Sequence, residues 1–313
     1  DDIVIVLDWT KLDSSLTKMD MLRDQISFLL SEYRVVATQT KDRLLKTAAS
    51  SSDISALPFE VVVLLESPGG SAVEYGLAAQ QLLRLRKVKG ITVTVCVDKV
   101  GASGGYMIAC TASPGRLFAA PFSVVGSIGV FAQILNAQQL LEGWGVLPLV
   151  FRGGKDKAPV GLVGEVTEEG KTKIQNSIDD THVAFKNHVA TCRPILADTI
   201  DEIGTGEVWL GVDAVKNGLV DRLITSDEYI AERLSEGATA LKLIKCVRPF
   251  FLFGAQPPEG YAQSKVGSML RSGMNKVATS LGMSATAAMP QALSTPAASM
   301  SMSMSTPQAL GKR

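Results

Sequence analysis

Hydrophobic and polar positions fall into two rhythms along this chain. Apolar runs of strand length occur at Ile3–Leu7 (IVIVL), Glu60–Leu65 (EVVVLL) and Ile91–Val97 (ITVTVCV), and the second is continuous enough to predict a strand buried on both faces. Between them, Met19–Leu30 and Ala72–Leu85 carry apolar residues at helical spacing, the first with Asp13 or Ser14 placed to cap it. Tyr106–Ala112 continues as an apolar helix, Arg116–Ala119 as a short strand, Asn136–Glu142 as a helix and Val146–Phe151 (VLPLVF) as a strand. A long charged helix starts at Thr167. Gly206–Leu223 predicts a strand, a short helix stopped by Gly218 and another strand, followed by a helix over Ser226–Leu234 and a last strand within 240–246. Strand, glycine turn and helix occur in that order twice, which predicts βαβ units, a mostly parallel sheet and an α/β fold.

Two stretches interrupt the pattern. Residues 34–58 turn small and polar and are expected to form an insertion or surface loop. Beyond about residue 250 the composition shifts, and 284–308 is a low-complexity run of Ser, Ala, Met, Thr, Pro and Gln. Such a run cannot bury enough apolar surface to offset its ordering entropy. The expected organisation is one domain over 1–250 and a disordered tail over 251–313.

Composition narrows the function classes. The 313 residues hold 31 basic and 31 acidic side chains, a balance that argues against nucleic acid as the main partner. Cys96, Cys110, Cys192 and Cys246 show no paired spacing and read as buried small hydrophobes. His182 and His188 share one polar helical segment, which argues against a histidine-based metal site. The chain begins at Asp1 and enters a strand almost at once, so a fragment or processed form is expected, with any preceding anchor invisible.

The chemistry concentrates at Gly101-Ala102-Ser103-Gly104-Gly105. A strand feeds into this turn and a helix leaves it, so Ser103 is lifted clear of the sheet with glycines on both sides. A serine hydroxyl needs a base. The G-x-S-x-G spacing fits a hydrolase elbow, but both histidines lie in a charged helix and no HGGG-type loop is present. Lysine is the alternative base, provided that burial or a cationic neighbour disfavours its charged form. Lys155 and Lys157 follow Gly153-Gly154 in a loop after an apolar run, although two lysines in a loop are ordinarily just solvated.

VDKVGASGGYMIAC, ESPGG with YGLAAQQLLRLR, VVGSIGV, the G-x-x-K of Gly154–Lys157, GEVTEEGK and GLVD, in this order, resemble the SohB branch of the signal peptide peptidase SppA family over roughly 3–235. The resemblance implies a ClpP/crotonase-like fold and a serine–lysine endopeptidase without metal or organic cofactor. It further implies a homo-oligomer at a membrane surface that cuts hydrophobic, signal-peptide-like segments, on a periplasmic or organellar side that it does not specify. Position by position it makes Ser103 the nucleophile, Lys157 the general base with Lys155 as competitor, and Ser127 the serine that orients the lysine. Backbone N–H groups of Gly104 and of the Gly69-Gly70 turn would form the oxyanion hole. The aromatic that the family places between glycine and lysine is replaced here by Lys155-Asp156, which changes the charge around the base. Two other readings share the fold. One is a catalytically silent membrane-associated scaffold, and the other, opposed by the serine and the lysine loop, is a crotonase-type acyl-CoA enzyme.

Overall fold

The computed structural model describes residues 3–10, 19–46, 59–154 and 156–243. Their elements, in order, are β1 (Ile3–Trp9), α1 (Met19–Lys46), β2 (Phe59–Leu65), α2 (Ala72–Arg86), β3 (Ile91–Val97), β4 (Val100–Ala102) and α3 (Gly104–Ala109). Then follow β5 (Leu117–Ala119), β6 (Val124–Gly126), α4 (Gln138–Gly143), α5 (Glu168–Cys192) and a 3-10 turn at Pro194–Leu196. The last are α6 (Ile200–Ile203), β7 (Val208–Leu210), α7 (Gly211–Ala214), β8 (Arg222–Leu223), α8 (Ser226–Ser235) and β9 (Thr239–Leu243). Asp13, Ser14, the expected tail and the later part of the expected insertion lie outside the described residues.

Six strands form one parallel sheet in the order β8-β5-β3-β2-β1-β9. Alternation within its strands sorts side chains between two cores. Ile3, Ile5, Leu7 and Trp9 of β1 join Val61, Val63 and Leu65 of β2 in the larger core, which takes in α1, α2 and α3. Val4, Val6 and Val62 point the other way, towards Phe118, Ile224 and Tyr229. The continuous apolar runs are explained by this double burial. One polar residue inside such a run is matched rather than tolerated. The Glu60 carboxylate accepts hydrogen bonds from Thr94, from Tyr229 and, at 3.0 Å, from Arg233 Nε.

The structure corrects two expectations. The helix expected to end at Leu30 runs on to Lys46, so 34–46 is not a loop. No glycine or proline interrupts Met19–Lys46, and nothing local stops the helix. Val146–Phe151 is not a strand: it pairs with no sheet and leaves Leu147, Leu149 and Phe151 exposed. A strand needs an edge to pair with, and this segment lies on neither sheet. It belongs to an arm whose two limbs are stitched together. Asn136 Nδ2 donates to the carbonyls of Gly161 and Gly164, and Gly164 N–H donates to Gln138 Oε1.

At the sheet edge, Lys242 of β9 bonds Asp8 of β1 at 2.7 Å. Partial burial pulls the Asp8 carboxyl up, but Lys242 and Thr10 outweigh it and hold the group at about 2, below its ordinary 3.8. A depressed carboxylate contributes stability that is present above the unfolded value and lost as pH falls through the folded one. Stability should therefore decline as pH drops from about 4 towards 2. Asp8→Asn should flatten that part of a Tm-versus-pH curve, and an unchanged slope would contradict the assignment.

Candidate functional site

A second, smaller sheet positions the site. β4 and β6 pair in parallel with Ala102 opposite Gly126, and β7 pairs antiparallel to β6. The residues that follow this last parallel pair are Ser103 and Ser127, so the two serines leave neighbouring strand ends side by side. Adjacent strands lie about 4.8 Å apart. Ser103 N–H donates to the Gly126 carbonyl at 2.8 Å, which ties the two ends together. Both serines are half-buried, and each has a φ of 52°. That left-handed region is costly for a residue with a Cβ and is held only where the surroundings demand it. Among the described residues three non-glycines have positive φ: Ser103, Ser127 and Ala158, the residue after Lys157.

The glycines are spaced to let backbone meet backbone. Ser67 bridges to Gly101, with its N–H on the Val100 carbonyl and its own carbonyl accepting from Ala102. This docks the Ser67-Pro68-Gly69-Gly70 turn on the serine loop. A Cβ on Gly69 (φ +95°) would stand 2.6 Å from Gly104 N and 2.7 Å from Ser103 Cβ. Gly104 packs on the Tyr75 ring, and Gly105 on the Ser67 carbonyl, closely enough that neither position has room for a methyl group. Gly69→Ala combines a backbone clash with a forbidden φ, so it should cost at least about 2 kcal/mol. For a domain of this size that lowers Tm by roughly 5 °C. A thermal melt matching that of the unsubstituted protein would contradict this packing.

The structure brings Ser103, Ser127, Gly104, Gly69 and Gly70 together. Gly104 begins α3, where helix N–H groups have no intrahelical acceptor. Gly69 N–H is taken by Ser67 Oγ at 3.2 Å, and Gly70 is exposed beside it. Lys157 stands apart. It is exposed, its N–H closes a turn on the Gly154 carbonyl at 3.2 Å, and among the described residues no hydrogen bond joins its Nζ to Ser103. The neighbouring Asp156 pairs with Lys173, anchoring the loop to the first turns of α5. Lys155 lies outside the described residues.

Several supports carry no sequence signal of their own. Ser67 Oγ and Tyr75 OH share a hydrogen bond of 2.6 Å beneath the glycine turn. Trp209 covers Gly126, and His182 Nε2 lies 3.0 Å from the Ile128 carbonyl and 2.7 Å from that of Gly204, bracing the strand end beyond Ser127. The GLVD motif serves the fold. Asp221 accepts from Arg193 and from the Leu117 N–H, and the Gly218 carbonyl also accepts from Arg193.

Residues 86–240 match the family model described as Peptidase family S49. The chain is 44% identical over 233 residues to a Haemophilus influenzae protein named "Probable protease SohB", covering 74% of this chain and 58% of that one. A Buchnera aphidicola protein of the same name is 41% identical over 231 residues, which cover 74% of this chain and 67% of the relative. "Protease 4" of Salmonella typhi is 32% identical over 55% of this chain and 27% of its own length. The matched region includes the serine turn, the second strand end and the lysine loop, and on these matches the chain belongs to peptidase family S49, with SohB-type proteins among its relatives.

Proposed function

We propose that the chain is a serine endopeptidase working through a Ser103–Lys157 dyad. The observation that carries this reading is that, among the described residues, positive φ in non-glycine residues is confined to Ser103, Ser127 and the neighbour of Lys157. In the reaction, Lys157 Nζ takes the Ser103 Oγ proton as Oγ attacks a peptide carbonyl. Ser127 Oγ holds the lysine in position. The N–H groups of Gly104 and Gly70 receive the tetrahedral oxyanion; Gly70 is preferred to Gly69, whose N–H is already engaged. Lys157 then protonates the leaving amine, and a water deprotonated by the same lysine releases the acyl group.

Exposed Val73 and Leu77, one turn apart on α2 just beyond Gly70, support an apolar, extended substrate such as a signal-peptide-like segment. Incubation with an extended apolar peptide should yield cleavage products, whereas CoA thioesters should remain intact. A protein that cleaves no peptide would instead be the silent scaffold.

A dyad lysine must be desolvated to lose its proton, and the single chain leaves Lys157 exposed. The arm that carries it also exposes Phe131 (87%), Trp144 (71%) and Phe151 (90%). Such a patch favours burial against a partner, and we assign that role to a second copy of this chain. Sedimentation should show an oligomer. The double substitution Leu147→Asp with Phe151→Asp should give monomers that have lost turnover. Fully active monomers would contradict this assignment, as would a monomer that sediments with lipid vesicles through the arm. Membrane proximity belongs to the same reading through the SohB resemblance alone; among the described residues no helix is long and apolar enough to cross a membrane.

A further inference from the structure

At the C-terminal end of α3, Cys110, His188 and Cys192 converge. Cys110 caps the C-terminus of α3, and the other two sit one turn apart on α5. Their three candidate donor atoms all lie within 4.8 Å of one another. Both cysteines are buried, and His188 is half-buried. We propose that these residues form a binding site for one thiophilic divalent cation of the zinc type, held by Cys110 Sγ, Cys192 Sγ and His188 Nδ1, with a fourth position open to solvent.

The geometry of the histidine carries the argument. His188 Nε2 lies 2.9 Å from the Met107 carbonyl, a group that can only accept, so Nε2 bears a proton and, in the neutral ring, Nδ1 is the nitrogen with the lone pair. Metal-bound histidines have this same arrangement, one ring N–H fixed on a carbonyl and the other nitrogen on the ion. Cys192 Sγ lies 3.9 Å from both Nδ1 and Nε2, off the Nδ1 lone-pair direction, so closing a site with Zn–N near 2.0 Å and Zn–S near 2.3 Å requires the Cys192 side chain to turn towards Nδ1.

The surroundings suit such an ion. Arg86 Nη1 donates to the Cys192 carbonyl at 3.0 Å and to the Thr111 carbonyl at 3.4 Å, fixing the end of α5 against the turn after α3. A cleft of about 530 Å³, lined by Arg86, Asn187, His188 and Cys192 among others, opens onto the cluster and gives the ion an entry path. Occupancy would tie the far end of the helix that begins beside Ser103 to α5. Nothing in the spacing announces this site, because Cys110 lies on a different element from the His188–Cys192 pair.

The test uses the whole chain without a histidine tag, reduced, stripped with chelator and titrated with Co²⁺ and then Zn²⁺. One equivalent of Co²⁺ should produce a thiolate-to-cobalt charge-transfer band with the intense visible bands of a tetrahedral ion. Zn²⁺ should bleach them and raise Tm. Cys192→Ser and His188→Ala should abolish the band, whereas Cys96→Ser and Cys246→Ser should keep it. Absence of the band in the unsubstituted protein overturns the site whatever the variants do. So does a band that survives Cys192→Ser, or a Cys110–Cys192 disulfide that persists in reductant and excludes the metal.

Discussion

Ser103→Ala is expected to remove peptide hydrolysis, lowering kcat by at least about 10⁴-fold, the scale seen when a triad serine is lost. The fold should be left intact. Among the described residues the Ser103 hydroxyl has no hydrogen-bonded partner whose loss would destabilise the loop, so its removal deletes chemistry rather than structure. The backbone at φ 52° is held by other groups. Ser103 N–H is bound to Gly126, the Ser103 carbonyl accepts from Met107, and Gly69 packs against the Cβ that alanine retains. Alanine pays the same left-handed cost as serine, so Tm should move by little. Activity equal to that of the unsubstituted protein would end the serine reading. Loss of activity together with collapse of Tm would mean that the hydroxyl is structural.

The second large effect concerns the base. Lys157→Ala should lower kcat by several orders of magnitude, since no histidine can replace it. Both histidines are committed to backbone carbonyls, His182 to those of Ile128 and Gly204 and His188 to that of Met107. Lys155→Ala should cost about tenfold or less, by changing the field around Lys157. Gly154 at φ +94° and Ala158 at φ 50° flank the Lys157 turn, and Asp156 is drawn away to Lys173 on α5. Kinetics of the two variants side by side decide the point. An inactive Lys155→Ala with a competent Lys157→Ala would shift the base by two residues. The exposed position of Lys157 in the single chain also predicts that the Lys157→Ala defect and the arm-disrupting defect are not additive, because both remove the same buried amine.

Much of this was legible in the residues, and the failures have separate causes. The runs over Ile3–Leu7, Glu60–Leu65 and Ile91–Val97 identified the central parallel strands because burial on both faces leaves a continuous apolar signature. The helix start at Thr167 was likewise readable, and its hydroxyl accepts from Gly170 N–H; that glycine is required because a Cβ there would meet the Pro159 carbonyl at 2.6 Å. Val146–Phe151 misled for the opposite reason. An apolar run reports that surface must be buried, not whether a strand, a helix or another copy of the chain will bury it. Residues 34–46 misled because their polarity suggested a loop, whereas a helix free of glycine and proline meets no local stop. Pairings between distant elements carry no signal in composition or periodicity, and only the family resemblance put Ser127 with Ser103. Ser127 beside Ser103 follows from the β4–β6 register, and Cys110 beside His188 follows from the packing of α3 on α5.

Reaction with a fluorophosphonate followed by peptide mass spectrometry tests the central claim most directly, because the reagent phosphonylates a serine only where a base and an oxyanion site act on it. The account predicts one adduct, on the peptide containing Ser103, that forms at a much reduced rate in Lys157→Ala and not at all in Ser103→Ala. A protein that cleaves peptides while Ser103 stays unmodified, or one labelled at a different serine, would contradict it.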